Sequence, residues 1–213
     1  PLFPGLGIDS FDAFVLRAAG GDSRSNGTYF RDPLASSLIE HANVDKQAFR
    51  PAIVFINGEY WGIQNIREKM NEDFLASHHP VDGDNVDMIQ RYWRRQHPVI
   101  VEGDSDAFLT LEAFLDSEDM TAPGTYELVE QMVDIDNFID YMVTQIFCAN
   151  YDWPGNNNKN WRPRVEDGKW RWLMYDLDYT FNSDGNNSYS HNTLRHATTS
   201  TGSEWPNPSW TNL

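Results

Sequence analysis

The sequence holds one cysteine, Cys148, in 213 residues. A single thiol excludes an internal disulfide and any zinc site built from several cysteines. Basic residues are also scarce: 16 Lys and Arg stand against 32 Asp and Glu, a formal charge of −16. Such a chain repels phosphodiester backbones and anionic headgroups, so neither nucleic acid nor an anionic membrane surface is an expected partner. No apolar run approaches the ~20 residues that span a bilayer, so no membrane insertion is expected. No internal repeat and no second domain can be read.

What is present is core-forming material. Hydrophobic residues make up 40% and aromatic ones 14%, which argues for a packed domain over a disordered chain. Cysteine poverty fits both the cytosol and bacterial export. The acidic, Trp- and Asn-rich composition favours an exported protein. The chain begins at Pro1 and stops at Leu213, just past Trp205-Pro206-Asn207-Pro208-Ser209-Trp210, so a piece of a longer protein is expected, with other domains of that parent as neighbours.

Residues 11–17 alternate apolar and polar and predict a strand. The Gly- and Ser-rich stretch after it predicts a loop, with Asp32 capping a helix that opens on Pro33. Residues 52–66 carry two β-rich runs around Asn57-Gly58, the signature of a type I′ hairpin. A short helix is expected from about Glu68 and a loop over Asp82–Asp87. Asp104 is expected to cap a helix carrying Phe108, Leu111, Phe114 and Leu115. Asp134 or Asp136 opens the next helix, with Phe138, Ile139, Met142, Ile146 and Phe147 on its apolar face, ending near Asn150. Pro154-Gly155 breaks the helix. Two short strands follow, joined by a turn at Glu166-Asp167-Gly168. The expected class is α+β in one domain, β-rich over about 1–100 and helical over about 101–213 with the late hairpin.

Asp152 follows the apolar helix, Asn157 comes five residues later, the hairpin intervenes, and Asp176 and Asp178 close it. This order, with Asp176 lying 176 − 152 = 24 residues after Asp152, is the order of functional groups in protein kinases. Phosphoryl transfer needs Mg²⁺ to neutralise polyphosphate and a carboxylate to orient the attacking hydroxyl. Asp and Asn supply the hard oxygens that Mg²⁺ prefers. If the strand runs on through Asp176 and Asp178, both carboxylates share a face and call for a cation between them. Spacing by itself favours a plainer role, in which these residues shape turns.

The sequence resembles the CotH kinase family, named for a spore-coat protein. The matching stretches are LRAAGGD (16–22), RDPL (31–34), RPAIVFINGEYWGIQNIREKMNEDFL (50–75), DGDNVDMI (82–89), VDIDNFIDYMVTQIFCANYDWPGNNNKNWR (133–162) and KWRWLMYDLDYTF (169–181). The DWPGNN form is similar to a branch in exported proteins of Bacteroidetes-type bacteria. The resemblance implies an atypical protein-kinase-like fold, here truncated at its C-terminus. It implies a secreted or surface enzyme that binds ATP with Mg²⁺ or Mn²⁺ and transfers the γ-phosphoryl group to Ser or Thr of a protein substrate. It places Asp152 at the catalytic-loop Asp, Asn157 and Asp176 at metal positions, and Asp178 at the second acidic position. It places Glu68 at the Glu after the hairpin, which steadies a phosphate-binding cation. Where relatives carry a Lys after the Asp-rich loop, this chain reads Met88-Ile89-Gln90. Arg17, Arg67, Lys69 and Arg91 are the candidate substitutes, Arg17 first.

Other residues have plainer readings. Tyr60 and Trp61 are expected in core or hairpin packing, with an adenine platform as the rival. Trp153, Trp161, Trp170 and Trp172 are expected in the core, with a sugar-stacking platform as the rival. His78-His79 makes a poor zinc site for want of a third ligand, and Cys148 is expected to be a small buried hydrophobe. Asn182–Asn186 resembles half of a calcium loop. That keeps open a second class of function, a non-catalytic structural or adhesive module holding Ca²⁺.

Overall fold

A computed structural model describes residues 1–24, 27–92, 97–182, 190–199 and 207–213. The fold is mixed α+β, with two sheets and six α-helices among the described residues.

The smaller sheet is antiparallel. β1 (Phe14–Arg17), β3 (Phe49–Ile56) and β4 (Glu59–Glu68) lie in the order β1-β4-β3. Asn57 and Gly58 close the β3–β4 hairpin with φ of 52° and 86°, as a type I′ turn requires. The helix expected from Glu68 starts later, because Glu68 still pairs with Phe14 across β1. That helix is α2 (Glu72–His78), and the Asn71 side chain caps it through the Phe74 amide at 3.4 Å. Tyr60 and Trp61 are 63% and 66% exposed and so outside the core, but Tyr60 packs edge-on against its cross-strand partner Phe55, with ring centres 5.8 Å apart, as hairpin packing expects. Both sit beside the Asn57-Gly58 turn.

The larger sheet has the order β2-β8-β7-β5-β6. Its strands are β2 (Asp45–Lys46), β5 (Val86–Arg91), β6 (Val99–Glu102), β7 (Asn158–Pro163) and β8 (Arg171–Met174). Only the β2–β8 pair is parallel. Strands from both ends of the sequence therefore interleave in one sheet. Of the loop expected over Asp82–Asp87, Gly83–Asn85 is a 3₁₀ turn, but Val86 and Asp87 belong to β5. Asp87 is fully buried because Arg162 Nε (2.8 Å) and the Asp104 amide (3.0 Å) donate to it.

Helices cover both faces of this sheet. α1 (Arg31–Leu38) begins one residue before Asp32, with Phe30 as its N-cap, so Asp32 is not the expected cap. Its carboxylate is drawn to Arg67 Nη1 at 2.5 Å instead. α3 (Asp106–Ser117) has Ser105 as N-cap, while Asp104 accepts from the Asp106 amide at 3.0 Å. α4 (Thr125–Met132) lies in a stretch with no strong sequence signal. α5 (Ile135–Phe147) is capped by Asp134, not Asp136, through the Asn137 amide at 3.1 Å. Its expected apolar face is corrected in part: Phe138 is buried, but Ile139 and Phe147 are exposed. Asn137, Tyr141, Thr144 and Gln145 are buried in their place. α6 (Thr193–Thr198) completes the set.

The large core gathers Ile89, Phe108, Leu111, Phe138, Tyr141, Trp170, Trp172 and Trp210 on one face of the five-stranded sheet. A smaller core gathers Met88, Trp161 and Leu173 with Phe74 and Leu75 of α2 on the other. Trp153, Trp161, Trp170 and Trp172 are all buried, so none offers a sugar-stacking face. Cys148 is a buried free thiol, as expected. No described helix is long and apolar enough to cross a membrane.

Candidate functional site

The turn after α5 is built to hold Asp152 inside the protein. Trp153 is buried and donates through Nε1 to the Tyr141 hydroxyl at 2.8 Å. Tyr141 donates to Asn158 Oδ1 at 3.0 Å, tying the turn to the start of β7. Asp152 is left 7% exposed. Its Oδ2 accepts from Asn156 Nδ2 at 3.2 Å and Asn157 Nδ2 at 2.8 Å. Its Oδ1 is buried and has no hydrogen-bond partner. Burial, and then the charges of Asp176 and Asp178, push the Asp152 carboxyl up to about 8.

Asp176 and Asp178 reach the same place by a route the sequence does not announce. β8 ends at Met174, and Asp176 has φ of 55°, so the expected strand alternation does not carry through them. A left-handed turn brings both carboxylates to Arg17 instead. Arg17 Nη2 contacts Asp176 Oδ1 closely and lies 3.4 Å from Asp178 Oδ2, while Nη1 is 3.8 Å from Asp32. The cation between the two carboxylates is thus a guanidinium from the end of β1. Burial and the neighbouring Asp176 charge raise the Asp178 carboxyl.

The glycine pair after β1 makes this contact feasible. Gly21 donates its amide to Asp178 Oδ2. Gly20 has φ of 59°, and a Cβ there would overlap the Asp178 carboxylate and the Arg17 guanidinium. Asp22 locks the loop, accepting from the Thr28 amide (2.8 Å), the Thr28 hydroxyl (2.9 Å) and the Arg31 amide (3.0 Å).

The structure thus draws Arg17, Asp152, Asn157, Asp176 and Asp178 into one neighbourhood. Glu68 is placed elsewhere: its carboxylate binds His78 Nε2 at 2.8 Å and the Ala48 amide at 2.8 Å. His79 pairs with Asp45 at 2.7 Å, so the two adjacent histidines diverge. Arg67 is held by Asp32 and Arg91 by Glu112, which commits both of those candidate cations. Lys69 is exposed on the segment between β4 and α2.

Sequence reasoning passed over Lys159. It is buried, donates to the Met70 carbonyl at 2.8 Å and lies 5.0 Å from the Tyr175 ring centre. Burial, helped by the Lys69 charge, depresses its ammonium to about 8. The available signal was its place, two residues beyond Asn157 in a strand whose neighbours are buried.

Among the described residues, no group of three or more His, Cys, Asp or Glu side chains forms a ready-made metal cage. The donor set still suits a hard cation. Asp152 Oδ1 is a buried carboxylate oxygen without a partner, and the Asp176 and Asp178 charges bear on it. The half calcium loop lies outside the described residues beyond Asn182.

The sequence model of one protein family, described as CotH kinase protein, matches residues 2–213. A search of curated proteins returns no match. The chain belongs to the CotH kinase family.

Proposed function

We propose that this protein is a metal-dependent phosphotransferase that moves the γ-phosphoryl group of ATP to a Ser or Thr hydroxyl of a protein. The observation that carries this reading is the buried Asp152 Oδ1, unpartnered and within the field of Asp176 and Asp178. Three carboxylates sharing a low-dielectric site need positive charge among them. A bound Mg²⁺ or Mn²⁺ would offset charge on the polyphosphate. Asp176 and Asp178 would hold it, with Asn157 through its Oδ1, because Nδ2 is turned to Asp152. Asp152 would accept the hydrogen bond of the incoming hydroxyl and orient it. Arg17 fills a cationic role beside Asp176 and Asp178, which a bound ion would share. The protein would act outside the cell, on secreted or surface proteins.

One observation favours a second reading. Arg17 already lies between Asp176 and Asp178, where a catalytic cation would sit, as suits a structural surface module without catalysis whose Ca²⁺ would be held in the acidic loops.

Thermal unfolding with ATP and Mg²⁺, Mn²⁺, Ca²⁺ or no metal separates the two, since a ligand of the native state raises the melting temperature. The kinase reading expects a rise that needs both ATP and Mg²⁺ or Mn²⁺ and is lost in Asp176→Asn. A rise with Ca²⁺ alone supports the module. Phosphate transfer to protein that persists in Asp176→Asn would overturn the assignment.

A further inference from the structure

A cleft of about 570 Å³ opens between α1, the β2–β3 segment and the end of α2, within the roughly 300–1,000 Å³ range of binding clefts. None of Arg17, Asp152, Asn157, Asp176 and Asp178 lines it, so it is separate from the candidate site.

Its longest wall is one unbroken run of chain, Val44 to Phe49. Successive side chains of an extended chain point to opposite sides. Six consecutive residues therefore line one cleft only if it follows the backbone and does not cross a single face. β2 ends the five-stranded sheet and β3 ends the three-stranded one, so among the described residues neither has a neighbouring strand on its outer side. An open strand edge offers N–H and C=O groups to an added strand. α1 supplies the other wall through Ser36 and Ser37. A groove along an open edge suits peptide binding by strand addition. At ~3.3 Å per residue, it accepts a segment of about five residues.

The lining sets the chemistry of that segment. Leu6, Val44 and Phe49 call for apolar side chains. Two of the charged lining residues are committed elsewhere: Asp45 is bonded to His79 at 2.7 Å and His78 to Glu68 at 2.8 Å. Lys46 donates to the carbonyls of Ile39 (3.4 Å) and Glu40 (3.5 Å), so the Glu40 carboxylate meets no cation among the described residues. An unpaired acid on the groove selects Lys or Arg in the incoming segment, and a net charge of −16 steers such a segment toward the protein.

We propose that this groove binds an extended peptide segment of a partner protein as an added strand on the β2 edge. Its apolar side chains lie against Leu6, Val44 and Phe49, and one Lys or Arg meets Glu40. The inference goes beyond phosphate transfer and stands independently of it.

The test is fluorescence polarisation with labelled seven-residue peptides that alternate valine and serine and carry one lysine, placed at each position in turn. Wild type should favour lysine at one position. Glutamate in its place should weaken binding about ten- to a hundredfold, the worth of a charge-assisted hydrogen bond. Glu40→Lys should reverse that preference. Ser37→Arg, at an exposed position on α1, should block the groove and abolish binding. Methylating every second peptide amide should abolish binding in one phase and spare it in the other, because an added strand turns only alternate amides to the edge. Binding unchanged in both Ser37→Arg and Glu40→Lys, or indifferent to methylation in either phase, would overturn the proposal. So would a wild type that binds none of the peptides.

Discussion

Arg17 and Asp176 are 159 residues apart in sequence, yet the guanidinium of one rests against the carboxylate of the other. The contact joins the end of β1 to the turn after β8, and so joins the two sheets at the candidate site. Arg17→Gln removes the only guanidinium that touches Asp176 or Asp178 among the described residues. Breaking a largely buried pair leaves an uncompensated charge, so a loss of about 2 kcal/mol is expected. For a chain of this size that is roughly 4–8 °C in melting temperature. Mn²⁺ should restore more of it in the variant than it adds to wild type. Melting curves with and without Mn²⁺ check this, and equal increments in both proteins would count against a shared cation position.

Asp152 makes stability depend on pH in a definite direction. Its carboxyl titrates at about 8 in the folded protein against an ordinary 3.8. The native state therefore binds more protons than the unfolded chain across that interval. The metal-free protein should lose stability as pH rises from about 4 to about 8, and regain it on acidification. Asp152→Asn should flatten the profile and melt higher than wild type at pH 8, while abolishing phosphate transfer. Lys159, depressed to about 8 from 10.5, acts in the separate alkaline window above about 8, where stability rises with pH. Melting temperatures across that range for both proteins provide the measurement; parallel curves would remove Asp152 as the source.

Gly20 and Gly58 both adopt positive φ, at 59° and 86°, but only Gly20 is crowded. A Cβ at Gly58 meets open space, whereas one at Gly20 overlaps Asp178 and Arg17. Gly58→Ala should therefore cost only backbone strain, about 1 kcal/mol, and leave ligand effects untouched. Gly20→Ala should cost more and erase the stabilisation by metal and ATP. Thermal shifts of the two variants with Mg²⁺ and ATP make the comparison, and an intact ligand shift in Gly20→Ala would show that the loop does not shape the site.

Features governed by neighbours in sequence were legible. Asn57-Gly58 sets its turn through local φ preferences, Asp134 caps through an amide three residues on, and the alternation of Trp170 and Trp172 buries both. Features governed by distant partners were not. Asp87 reads as a loop acid until Arg162 is placed beside it. Strand alternation would pair Asp176 and Asp178 only if β8 ran on through them, but β8 ends at Met174 and a left-handed turn at Asp176 brings both to Arg17. The burial of Lys159 is not legible in the sequence, because it comes from the packing of Met70 and Tyr175 around it.

The face of α5 gives the sharpest contrast between pattern and packing. Hydrophobic spacing put Ile139 inside, but it is half exposed, while Asn137 two residues earlier is fully buried. The reason is the edge of β8. Asn137 Oδ1 accepts from the Trp172 amide at 2.7 Å, and its Nδ2 donates to the carbonyls of Asn43 (2.8 Å) and Trp172 (3.2 Å). One amide side chain thus satisfies backbone groups that no strand reaches, and it anchors the hairpin carrying Asp176 to the helix that precedes Asp152. Asn137→Leu keeps the volume and strands those groups, so a loss of about 3 kcal/mol is expected. Ile139→Gln should stay within about 0.5 kcal/mol of wild type, as exposed positions do. Urea unfolding of the two variants ranks them. A larger loss in Ile139→Gln would mean that the hydrophobic pattern, and not the amide, seats α5 on the sheet.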